Sequence, residues 1–146
     1  MELIDAIGDG PVALDSVVFI YFIERQPRLL PLLQTLFTRI NSGRLIAVTS
    51  AITLLETLVV PYRSGDVDLA KKYEAILTNG RGLTLVPILL PVVRRAAEIR
   101  AATSIRTPDA LQLAAASLTK CTAFLTNDRR IPSLPSLPVL QLDAFE

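Results

Sequence analysis

The 146-residue chain contains no histidine, which removes imidazole both as a general base and as a metal ligand. Its single cysteine, Cys121, can form neither an internal disulfide nor a thiolate zinc site. One thiol fits a reducing cytoplasm. No glycine is followed by lysine, so there is no P-loop. Aromatics are 5% of the residues, which leaves few rings to stack on bases. Long apolar runs are missing too. The longest charge-free stretches resemble Ile131–Leu142, which carries three prolines and falls well short of the roughly 20 residues that span a bilayer. The opening Met1–Asp5 has no basic segment leading into an apolar one. The sequence therefore reads as a soluble cytoplasmic protein with no membrane association. Any reaction must run on carboxylates, hydroxyls, amides, Lys, Arg or a bound metal.

What is present suits one folded domain over residues 1–146. Hydrophobic residues make up 51%, and no repeat or low-complexity tract divides the chain. Short apolar runs at Pro11–Leu14, Leu45–Val48, Leu83–Val86, Thr122–Leu125 and Val139–Leu142 read as strands. Between them, Val17–Ile23, Leu29–Ile40, Ser50 to about Tyr62, Asp66–Leu77, Val92–Thr103 and a segment opened by Thr107-Pro108-Asp109 read as helices. Ser50 is expected as one N-cap and Thr107 as another, with Pro108 at the first helical position. Met1–Gly10 receives no assignment. Strands without polar alternation, separated by helices, predict an α/β fold: a central parallel sheet of five strands flanked by helices in three layers. Ligands of such sheets sit beyond the carboxyl ends of the strands.

Most of the 14 acids need no special account. Glu98 lies at helical spacing from Arg94 and Arg95, and Asp66 and Asp68 open a helix, where the dipole favours them. Glu56 is different. Its helical neighbours are Ile52, Thr53, Val59 and Val60, with no basic residue one turn away. It is either an exposed glutamate with a distant partner or a carboxylate awaiting a cation. Asp15 can be a plain N-cap, Asp109 an ordinary first-turn acid, and Asp128 part of a turn. Taken together they say more. Asp15 and Asp128 follow strands, Asp109 opens a helix leading into one, and Glu56 lies early in the helix after another. A doubly wound sheet brings all four to one edge. Like charges 4 Å apart repel by roughly 4 kcal/mol at an effective dielectric of 20, so such a cluster calls for a proton or a cation. All-oxygen ligands suit Mg²⁺ or Mn²⁺, and such an ion can activate water against a phosphodiester. With those four acids set aside, ten remain against 15 Lys and Arg, a balance suited to a phosphate backbone.

Four segments in order resemble the PIN-domain family. They are Val12-Ala-Leu-Asp-Ser16 with Phe19-Ile-Tyr21, Thr49-Ser-Ala-Ile-Thr-Leu-Leu-Glu56, Arg106-Thr-Pro-Asp-Ala-Leu-Gln-Leu-Ala-Ala115 and Phe124-Leu-Thr-Asn-Asp-Arg-Arg130. The resemblance runs from about Val12 to Leu142. It implies a Mg²⁺- or Mn²⁺-dependent endoribonuclease, similar to the VapC toxins of type II toxin-antitoxin systems, each neutralised by a small antitoxin and often homodimeric. The family's catalytic and metal-binding acids fall on Asp15, Glu56, Asp109 and Asp128. Its supporting polar residues fall on Ser16, Thr126 and Asn127. Many relatives carry Asn two residues after the first Asp; here that residue is Val17.

Arg106, Arg129 and Arg130 lie beside these acids in sequence and could grip RNA phosphates or an antitoxin carboxylate. The Leu29–Phe37 helix and the Leu89–Val93 stretch are candidate interfaces for a second copy or an antitoxin helix. Three rivals can be set against a PIN-type nuclease. The first is a catalytically silent PIN-like protein-interaction module, supported by Val17. The second is a phosphoacceptor receiver domain, which would need a Lys near Pro138–Asp143, where none exists. The third is a Toprim-like nuclease, for which Glu56 and the Asp66-Val-Asp68 segment are poorly spaced.

Overall fold

Five apolar segments become strands in the computed structural model, which describes residues 1–146: β1 (Val12–Leu14), β2 (Ala47–Ser50), β3 (Leu83–Val86), β4 (Ala123–Thr126) and β5 (Val139–Gln141). They form one sheet in the order β3-β2-β1-β4-β5, every neighbouring pair parallel. Seven helices accompany the sheet, and all but the first lie in the long crossovers that parallel neighbours need, β4 passing to β5 without a helix. The helices are α1 (Leu3–Ile7), α2 (Ser16–Ile23), α3 (Leu30–Asn41), α4 (Ala51–Ser64), α5 (Val67–Asn79), α6 (Leu90–Ala102) and α7 (Thr107–Leu118), with a closing 3-10 turn at Leu142–Phe145. None is long and apolar enough to cross a membrane.

The three inner strands are buried at every position, whereas the edge strands β3 and β5 are only partly so. That is why their sequences show no polar alternation. The faces still alternate. Val12, Leu14, Ala47, Ala123 and Leu125 pack with Leu3, Ile7, Phe19, Leu33, Leu36 and Leu77 of α1, α2, α3 and α5 on one side. Ala13, Val48 and Phe124 pack with Val92, Ile99, Ala110 and Leu113 of α6 and α7 on the other. Strand order reverses beside β1: the chain winds out through β2 and β3, then returns to lay β4 on the opposite side. The carboxyl ends of β1 and β4 thus flank the topological switch point, where sheets of this kind have their crevice.

Several sequence expectations shift. Strand β2 starts two residues later than Leu45 and ends on Thr49 and Ser50, which are polar yet buried. Helix α7 begins at Thr107, so Arg106 takes the cap position and Pro108 the second one. The Thr107 hydroxyl is instead engaged by Arg100 Nη1 at 3.0 Å. Met1–Gly10, unassigned from sequence, forms α1, held to the core by Leu3 and Ile7. The Leu29–Phe37 segment sends Leu29, Leu33 and Leu36 fully into the core, while Leu30, Leu32 and Phe37 are only partly buried. Leu89, Leu90 and Val93 remain exposed.

Candidate active site

Asp15 stands where β1 hands over to α2. Its N–H still bonds the Leu125 carbonyl at 3.0 Å, extending the β1–β4 ladder by one residue. Its side chain caps α2 by accepting from the Ser16 N–H at 2.9 Å. Thr126, at the end of β4, donates its hydroxyl to Asp15 Oδ2 at 2.7 Å and accepts from the Asp128 N–H at 3.1 Å. One buried hydroxyl therefore ties together the two strand ends at the switch point. Burial drives the Asp15 carboxyl above its ordinary range; the Thr126 and Ser16 bonds oppose this, and the charges of Asp109 and Asp128 add to it.

Glu56 projects from the second turn of α4 and is half-buried. It has no ion-pair partner. Desolvation pushes its carboxyl upward first and the Asp15 charge second, against a weaker opposing effect from Ser16. Asp109 is buried in the first turn of α7, its Oδ2 3.3 Å from Arg106 Nε. Asp128 is clasped by Arg130 through Nε–Oδ1 and Nη2–Oδ2 contacts of 3.0 and 2.9 Å. It also accepts from the Arg130 N–H, which makes it the turn that its sequence suggests. Hydrogen bonding to Arg130 holds the Asp128 carboxyl below its ordinary range.

All four acids line one open cleft of about 360 Å³, together with Ser16, Val17, Tyr21, Arg106, Asn127 and Arg129. The side chains do not converge further: no three acidic groups lie at the spacing needed to hold one ion. Asp109 and Asp128 are each turned to a guanidinium instead. The available donors are carboxylate and hydroxyl oxygens, with no nitrogen or sulfur ligand, a set that fits hard cations such as Mg²⁺ and Mn²⁺. Asn127 lines the cleft, but its Oδ1 is engaged by the Asp143 N–H at 3.1 Å. Arg129 is exposed and free of ion pairs, whereas Arg106 and Arg130 are committed to Asp109 and Asp128. Val17 reaches the cleft wall with no polar group to offer. A separate, largely apolar hollow of about 420 Å³ near Phe22, Phe37 and Ile76 contains no carboxylate.

Beneath Asp15 lies a polar layer that the sequence reading did not single out. Gln112 of α7 is 3% exposed, and Thr49, Ser50, Thr53 and Thr57 are buried with it. Ser50 donates to Gln112 Oε1 at 2.6 Å, and Gln112 Nε2 donates to Thr53 Oγ1 at 2.7 Å and to Asp15 Oδ1 at 3.4 Å. The signal that could have pointed to it is Thr53-x-x-x-Thr57, two polar residues one turn apart on the core-facing side of α4, just after the polar Thr49-Ser50 end of β2.

Residues 12–137 match the PIN domain family. No curated protein matches by sequence. Solved structures do. A toxin-antitoxin complex from Klebsiella pneumoniae contains a chain 16% identical, with TM-score 0.66, covering 90% of this chain and 97% of that one. VapBC2 from Rickettsia felis, bound to a DNA fragment from its promoter, gives 17% identity and TM-score 0.68, covering 89% and 97%. DNA-bound VapBC from Salmonella typhimurium gives 18% identity and TM-score 0.63, covering 90% and 97%. At such identities the likeness is one of fold.

Proposed function

The chain belongs to the PIN-domain family, and from that membership we propose that it is a Mg²⁺- or Mn²⁺-dependent endoribonuclease of the VapC toxin type. The observation that carries this reading is the placement of Asp15, Glu56, Asp109 and Asp128 around one cleft at the switch point of the sheet. These four acids would hold the cation through oxygen. When bound, the ion supplies a water of lowered pKa and neutralises charge on the attacking and leaving oxygens of the phosphodiester. The protein supplies the rest. Thr126 and the Ser16 N–H fix the Asp15 carboxylate in one orientation. Glu56, with no cationic side chain paired to it, offers a second carboxylate that is costly to leave ionised. Arg129, unpaired at the cleft, is available to an RNA phosphate, and Arg106 keeps its terminal N–H groups for the same purpose.

The proposal includes a cytoplasmic setting, an antitoxin partner and a homodimer. Support for a partner comes from the solved structures of like fold, which are toxin-antitoxin assemblies. The exposed apolar residues Leu89, Leu90 and Val93 would serve a contact between copies. A second reading, a catalytically silent interaction module, is favoured by Val17 in the cleft wall and by the Arg130 clasp on Asp128.

Incubation of the purified protein with a mixed structured RNA separates the two. With Mg²⁺ or Mn²⁺ the wild type is expected to cut, EDTA to stop cutting, and Asp15→Asn to reduce it to background while the fold is kept. Cutting by Asp15→Asn at the wild-type rate would refute the site assignment. No cutting by wild type on any RNA, with no divalent ion bound, would favour the silent module.

A further inference from the structure

Asp15 accepts three hydrogen bonds, all from groups other than a guanidinium, and its two oxygens are not treated alike. Oδ1 accepts from the Ser16 N–H at 2.9 Å and from Gln112 Nε2 at 3.4 Å. Oδ2 accepts only from the Thr126 hydroxyl, at 2.7 Å. A carboxylate presents about four lone-pair positions, two on each oxygen. Both positions on Oδ1 are therefore taken, and one remains on Oδ2.

The direction of the Gln112 amide is fixed as well. Ser50 Oγ accepts from the Ile52 N–H at 3.2 Å, which leaves its own proton for Gln112 Oε1 at 2.6 Å. The Thr49 hydroxyl bonds the Leu14 carbonyl at 2.7 Å and lies 2.7 Å from Thr53 Oγ1. Thr53 Oγ1 accepts from Thr49 and also from Gln112 Nε2, the latter at 2.7 Å. Turning the amide over would set Oε1 against Asp15 Oδ1, acceptor against acceptor. Each group in this chain of side chains from β2, α4 and α7 is buried and satisfied, so the arrangement is stiff.

We infer that Gln112 is a positioning residue that closes Oδ1 of Asp15 and leaves Oδ2 as its single free ligand position, so that the cleft favours Mg²⁺ and Mn²⁺ over Ca²⁺. The inference rests on the metal-site reading above. Mg²⁺ demands a compact octahedral shell, whereas Ca²⁺ accepts larger shells that include bidentate carboxylates. An Asp15 restricted to one oxygen serves the smaller ion. Residues that orient metal ligands typically shift affinity by about 10- to 100-fold when removed.

The test measures Mn²⁺, Mg²⁺ and Ca²⁺ binding by titration calorimetry on the wild type, Gln112→Met, Ser50→Ala and Asp15→Asn. Gln112→Met keeps the volume and removes the amide. It is expected to weaken Mn²⁺ and Mg²⁺ binding by about tenfold and to raise Ca²⁺ affinity relative to Mg²⁺. A merely structural role for Gln112 would lower the melting temperature in EDTA without moving the Ca²⁺ to Mg²⁺ ratio, and an unmoved ratio overturns the inference. Should Gln112→Met fail to fold, Ser50→Ala decides, since it frees the amide and keeps Gln112; the same change in ratio is expected, and an unchanged ratio again overturns it. If wild type binds no divalent ion, or Asp15→Asn binds as wild type does, the metal-site reading falls and this inference with it. If Asp15→Asn loses binding while Gln112→Met keeps the wild-type ratio, only this inference falls.

Discussion

Burying a carboxylate without a cation costs free energy, and Asp15 and Glu56 both bear that cost. A carboxyl whose folded pKa lies above its unfolded one favours unfolding once ionised, so stability is lost at high pH and regained as the group protonates. Metal-free protein should therefore become more stable as pH falls from neutral toward the ordinary values of 4.5 for Glu and 3.8 for Asp. Asp128 acts in the opposite sense. Its depressed pKa contributes stability that is lost only as pH falls below 3.8, so the two trends occupy different windows. Glu56→Gln should raise the melting temperature of the metal-free protein at neutral pH and flatten its rise on acidification. A lower melting temperature in EDTA would mean that Glu56 has a cationic partner. Glu56 was legible in the sequence because an acid amid Ile52, Val59 and Val60 has no local reason to be there. Gln112 was not, because glutamine on a helix is ordinary until a neighbouring carboxylate is known to face it.

At the scale of elements, strand and helix order followed from short apolar runs and helical punctuation, and most boundaries fell within two residues. The misses have physical causes. Thr49 and Ser50 end β2 with polar side chains that the buried Gln112 network satisfies, so polarity alone placed the strand too early. Helix α1 has five residues and too little periodicity to announce itself. The turn into β3 sets a tighter constraint than its sequence suggests. Gly82 sits at φ 77, and a Cβ there would lie 2.3 Å from the Ile40 carbonyl oxygen. Its own carbonyl accepts the Ala47 N–H at 2.9 Å, so the backbone cannot simply withdraw. Gly82→Ala should therefore cost more than about 1 kcal/mol, lowering the melting temperature by about 3 °C or more. An unchanged melting curve would show that the turn relaxes freely.

For the molecule as a whole, the parallel sheet and its helical layers were readable from the alternation of elements, but the strand order was not. Nothing in β1 or β4 alone says that they are neighbours; the long return from β3 decides it, and that return brings Asp15 and Asp128 to one crevice. Surface patches were half legible. Leu29, Leu33 and Leu36 were absorbed by the core, while Leu89, Leu90 and Val93 stayed exposed because α6 buries a different stripe: Val92, Ala96 and Ile99. The proposed homodimer should sediment as such, and Leu90→Glu should shift it toward monomer with little change in the monomer's melting temperature. An unchanged sedimentation profile would remove this patch from the interface.

The central claim is that the acids of the β1–β4 crevice form a divalent-cation site. It is tested most directly by a crystal grown with saturating Mn²⁺ and measured for anomalous scattering. Manganese within the cleft bounded by Asp15, Glu56, Asp109 and Asp128 is the expected result, and its loss in Asp15→Asn should follow. A cleft empty of manganese, with the Arg130 clasp on Asp128 intact, would contradict the account.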